Sequence, residues 1–68
     1  MPQWHGMVKE EDDFGAPITT TFVDGATKRG PWAIMSPASH VLHGVGLGTG
    51  RGQKYEKQDK GVWLKVEG

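Results

Sequence analysis

Cysteine is absent from this chain of 68 residues. That excludes a disulfide framework and a thiolate metal site, two of the usual ways a domain this small is held together. Net charge is also absent, with eight cationic and eight acidic residues. Binding to nucleic acid or an anionic membrane by bulk charge is therefore excluded. No apolar run approaches the ~20 residues that a membrane span needs. The N-terminus lacks the basic-then-apolar pattern of a secretory signal, so a cytosolic setting is expected. Large aliphatic and Phe residues are scarce: Leu, Ile, Val and Phe make up about 19% of the chain, at the border of what globular chains contain. High net charge, the other half of the disorder signature, is missing. Glycine is abundant, with 11 residues, and there are four prolines. Each ordered glycine costs extra backbone entropy. Chains of this length seldom gain more than ~3–5 kcal/mol from one core and usually add metal, disulfides or a partner. With no cysteine and a weak metal pattern, a partner chain is the expected stabiliser.

What is present reads as a small α+β or mostly β domain. It has two β-hairpins, one short helix and long irregular segments. Residues 1–17 form an acidic arm around Glu10, Glu11, Asp12 and Asp13. Residues 18–68 form the domain. ITTTFV (18–23) is β-branched or aromatic throughout and predicts a strand. Asp24-Gly25 predicts a turn, leading to a second strand at PWAIM (31–35). Ser36-Pro37 is a helix-start signal, predicting a helix over 37–43 that is stopped by Gly44 in the C′ position. The second hairpin joins QKYEK to VWLKV through a QDKG turn, with Gly61 suited to a glycine bulge.

Between helix and hairpin lies GVGLGTGRG (44–52), with glycine at every second position. Flexibility alone does not require period two. An extended arm does: Val45, Leu47, Thr49 and Arg51 would share one face, and the other would be bare backbone open to close approach. The stretch lacks the Gly-Lys-Ser/Thr ending of a phosphate loop and follows a helix, which argues against a nucleotide cradle.

Charge is unevenly placed. Residues 1–27 carry Lys9 against Glu10, Glu11, Asp12, Asp13 and Asp24, whereas residues 28–68 carry seven cations against three carboxylates. The acidic arm either folds over its own basic half or meets another surface. His40 and His43 lie three apart, on one helix face, and His5 with Asp12 or Asp13 could complete a zinc set. Without cysteine the pattern is weak, and packed or exposed imidazoles are the simpler reading. Ser36 and Ser39 sit near His40 without the surroundings of a nucleophile, so they read as a helix cap and a small helix residue. The basic run Arg51, Lys54, Tyr55, Lys57, Lys60 could bind single-stranded nucleic acid, with Tyr55 stacking on a base, or be a solvated strand face. Trp4, Trp32 and Trp63 are candidates for core or interface.

The motifs GPWAIM and GVGLGTGRGQKYEKQ, within residues 18–68, are similar to a block found in a group of small phage and prophage zinc-ribbon-like proteins. In that group GPWAxM precedes a Cys-Pro-x-Cys-His knuckle, and a GxGLGTGxGQxYE segment follows. Here Ser36 and Ser39 stand at the knuckle cysteines, and Glu11 and Phe14 fall where a first pair is expected. The resemblance implies a ribbon-like scaffold without its metal, a phage source and a non-enzymatic accessory role. No cofactor, metal or catalytic residue is expected. The expected function is a structural or interaction protein, such as a capsid-stabilising or decorating subunit, in the virion or the host cytoplasm. The alternative is a small regulatory protein that binds nucleic acid or a host enzyme. Partner contacts are expected from Trp4, Trp32, Val45, Leu47, Thr49, Arg51, Tyr55 and Trp63.

Overall fold

The computed structural model describes residues 3–68; residues 1 and 2 of the acidic arm lie outside the described residues. Four strands form one antiparallel sheet: β1 (Thr21–Ala26), β2 (Trp32–Met35), β3 (Gly52–Lys57) and β4 (Trp63–Glu67), in the order β2-β1-β3-β4. One helix, α1 (Pro37–His43), follows β2 and packs against β1 and β2. The two hairpins, β1–β2 and β3–β4, are the ones the sequence predicts. They join along β1 and β3, with Phe22 opposite Tyr55. The result is a small α+β, mostly β domain.

Strand alternation divides the sheet into two faces. On one, Phe22 is fully buried and touches three other rings. It stacks on Tyr55 at 5.1 Å and meets Trp4 and Trp63 edge-on at 5.2 and 5.1 Å. Ile18 closes this cluster, and Val8 and Ile34 lie at its margin. On the other face Val23 and Met35, directly paired across β1 and β2, are buried on the side where α1 and the glycine-rich loop lie. The chain therefore stacks an N-terminal strap, a sheet, and a helix-plus-loop layer.

The first strand lies further along the chain than expected. It begins at Thr21 and runs through Asp24-Gly25, where a turn was expected. Those residues pair on both sides, with Ile34 and Ala33 in β2 and with Gln53 and Gly52 in β3. Ladder bonds on two sides override the local turn preference of Asp-Gly. The reversal comes later, where the N–H and hydroxyl of Thr27 donate to the Pro31 carbonyl and Gly30 adopts a φ of +108°. In the second hairpin, a short 3-10 turn (Asp59–Gly61) puts Lys60 as well as Gly61 at positive φ.

The helix has the expected bounds. Ser36 caps it, its hydroxyl oxygen accepting from the Ser39 N–H at 3.2 Å. Gly44 ends it for a different reason from the one expected. Its backbone is extended (φ −81°), not left-handed. A Cβ at Gly44 would run into the His40 ring, so packing selects glycine here.

The glycine-alternating segment is not an extended arm. It coils back on itself. Gly48 and Gly52 exchange backbone bonds of 2.8 and 3.0 Å, and Gly46, Gly48 and Gly50 all take positive φ. The bare backbone does allow close approach, but to the chain's own strand. A Cβ on Gly25 would lie 2.7 Å from the Arg51 carbonyl oxygen and 3.0 Å from the Gly52 Cα. Both obstacles are backbone, so β1 and β3 would have to separate. Gly25→Ala is expected to lower stability by about 1–3 kcal/mol, as overpacking does. A urea unfolding midpoint equal to that of the unaltered chain would show that the strands are not so close.

Both sheet edges meet the strap. At β4, the Trp4 N–H donates to the Trp63 carbonyl at 2.9 Å. At β2, the Asp13 N–H donates to the Ile34 carbonyl at 3.0 Å, and the Ile34 N–H donates back to Asp13 Oδ2 at 2.8 Å. Unpaired edge groups are a template for unwanted strand pairing. The N-terminal segment supplies partners at one point on each edge.

Candidate interaction surface

The polar centre of the molecule is Asp12, only 7% exposed. Its carboxylate gathers donors from two separate parts of the chain. Oδ1 accepts from the N–H groups of Phe14 (2.9 Å) and Ala16 (2.8 Å), and Oδ2 accepts from the Ser36 N–H at 2.7 Å. The Asp12 N–H donates to the Ala16 carbonyl, and Gly15, at φ +83°, completes the turn. Ser36 in turn holds Ser39 through its hydroxyl. Burial alone would raise the pKa of this carboxyl. The donors Ser36, Ser39, Ala16 and Phe14 outweigh burial and hold it far below the usual carboxylate range. Asp24 moves the other way, raised by burial and by the charge of Asp13.

Ser36 and Ser39 thus do face the N-terminal turn. Their counterpart there is Asp12, whereas the resemblance implies Glu11 and Phe14 at the positions of a first pair. Glu11 is exposed and bridges to Pro17. Phe14 turns outward and stacks on His43. The three histidines do not converge: His5 is exposed, His40 Nε2 lies 3.0 Å from the Gly46 carbonyl oxygen, and His43 lies against Phe14. Among the described residues no group of three or more His, Cys, Asp or Glu side chains is placed to hold a metal.

Of the residues expected to meet a partner, Trp4, Tyr55 and Trp63 belong to the internal ring cluster. Tyr55 is buried and therefore offers no free face to a nucleobase. This removes the stacking residue from the basic run that was the candidate strand-binding site. Leu47 is half-buried, and Thr49 and Arg51 are exposed. Trp32 and Val45 keep exposed apolar surface, Trp32 at 47%.

The largest apolar exposure on a regular element lies on α1, which no sequence expectation singled out. The helix turns its serine inward and its aliphatic residues outward: Ser39 is buried, while Val41 and Leu42 are 79% and 65% exposed. Helices normally bury the apolar stripe. The signal was available in the sequence. Ala38, Val41 and Leu42 stand at i, i+3 and i+4, which places them on one helical face.

Comparison with protein-family models, with curated proteins and with solved structures gives no match to this chain.

Proposed function

We propose that this chain is a non-enzymatic structural or interaction protein, and that the outer face of α1 is where a protein partner docks. The observation that carries this reading is the helix turned inside out, with Val41 and Leu42 in solvent and Ser39 in the interior. Isolated exposed aliphatics are ordinary. Adjacent ones on a helix whose polar residue is buried are the mark of an interface. The small core supports the same reading, since among the described residues only Ile18, Phe22, Val23, Met35 and Tyr55 are buried apolar side chains. The setting proposed with it, from the sequence resemblance, is a phage particle in which the chain stabilises or decorates a capsid.

A photoreactive residue placed at Leu42 tests this in the producing cell, with one at the exposed Asp59 as control. A discrete adduct from position 42, absent from position 59 and lost with Val41→Asp, is the expected result. No adduct from position 42, or the same adducts from both, would contradict it. Leu42→Asp itself is expected to shift folding stability by no more than about 0.5 kcal/mol, as exposed positions do.

A further inference from the structure

The cleft between the β1–β2 turn and the end of α1 combines two stacked rings with two cations. It is a half-open cleft of about 440 Å³ lined by Phe14, Thr27, Lys28, Arg29 and His43. Three distant stretches of chain build it. The strap contributes Phe14, the β1–β2 turn contributes Thr27, Lys28 and Arg29, and α1 contributes His43.

Each wall is fixed by bonds already in place. The Lys28 N–H donates to the His43 carbonyl at 2.8 Å, which ties the turn to the helix end. Thr27 is held to Pro31 through its hydroxyl. Phe14 is held by its backbone to Asp12. The two rings, Phe14 and His43, lie nearly parallel, 9° apart at 4.1 Å. Each ring covers one face of the other, and the outer faces remain open, Phe14 being 45% exposed. Lys28 and Arg29 are exposed, and among the described residues neither is in an ion pair.

A flat π surface beside two free cations matches a ligand with a flat ring and a phosphate. We infer that this cleft is a nucleotide site: the base stacks on the Phe14–His43 platform and the phosphate meets Lys28 and Arg29. The nucleotide can be free or part of a single strand, since both present the same base and phosphate. A phosphotyrosine also joins a ring to a phosphate. A base offers more ring area than a phenol to continue the stack, which favours the nucleotide.

Titration of the purified chain with AMP, with a short oligoadenylate, and with phosphotyrosine and inorganic phosphate as controls tests this by NMR shifts at Phe14 and His43. AMP or the oligomer should bind, more tightly than either control. Tighter binding of AMP points to a free nucleotide, and tighter binding of the oligomer to a strand; either supports the site. Phe14→Ala should weaken binding about tenfold or more, in the range of one lost base–aromatic stack. The oligomer's affinity should fall with salt at a log–log slope of about −1.4 for two phosphate contacts, less steep by about 0.7 in Lys28→Gln. Because Lys28 is a surface residue, that second variant keeps the test valid if Phe14→Ala disturbs folding. Leu42→Asp should leave nucleotide binding unchanged, which separates this site from the docking face. No binding of AMP or the oligomer, controls binding equally well, or binding indifferent to both Phe14→Ala and Lys28→Gln would overturn the assignment.

Discussion

Asp12→Ala is expected to unfold this protein or bring it close to unfolding. The substitution removes one carboxylate and strands three backbone donors, at Phe14, Ala16 and Ser36. Hydrogen bonds to a charged group contribute about 1.5–3 kcal/mol each, and a buried donor left without an acceptor costs about 1–3 kcal/mol. These effects overlap, and a total loss of about 3–5 kcal/mol is expected. A chain of this size seldom has more than that to lose. Asp12→Asn keeps the shape but loses the charge and points an amide at one set of donors, so it should recover only part of the loss. Thermal unfolding followed by circular dichroism measures both. An alanine variant as stable as the unaltered chain would show that the junction is ornamental.

The same carboxylate sets the response to acid. Its folded-state pKa lies far below the unfolded value of about 3.9. The folded chain therefore binds fewer protons than the unfolded chain over that interval. Stability from this group is fully present above about pH 5 and is lost as pH falls through the unfolded value toward the folded one. Asp12→Asn should flatten this part of the stability profile. A variant with an unchanged acid dependence would assign the effect to other carboxyls.

Phe22→Ala is the second large effect. Phe22 is fully buried and is the one ring that touches Trp4, Tyr55 and Trp63 alike. Phe-to-Ala changes in cores cost about 3–5 kcal/mol through lost transfer energy and the cavity left behind. Here the loss also unseats Trp4, so the strap should loosen together with the core. Loss of the near-ultraviolet signal from the Trp cluster, with a steep fall in unfolding midpoint, is expected. A drop below about 1 kcal/mol would mean that the three remaining rings close over the gap, which the separation of Trp4 and Trp63 onto different segments opposes.

The local signals in the sequence were sound where a few neighbouring residues decide the outcome. Ser36-Pro37 and Gly44 bound α1 correctly, and both hairpins form. The errors come from long-range pairing. Asp24-Gly25 reads as a turn until Gly52 and Gln53 are placed beside it. The glycine period reads as an arm until Gly25 shows which backbone it must approach. Trp4 reads as core or interface and Tyr55 as part of a solvated or base-stacking strand face, yet both join Phe22 and Trp63 in a four-ring core that aliphatic composition does not suggest. Asp12 looked like one member of a solvated acidic run. Only the return of Ser36, twenty-four residues later, turns it into the hub. The apolar face of α1 is legible in the spacing of Ala38, Val41 and Leu42, but such a stripe normally faces the interior, and only the burial of Ser39 shows that it turns outward.

The carboxyl carbon of Asp12, followed by NMR as pH is lowered, tests the internal junction most directly. Its resonance should stay that of an ionised carboxylate as pH falls through the unfolded value of about 3.9, and should change only together with loss of the fold. Protonation near pH 4 in a chain that remains folded would contradict it.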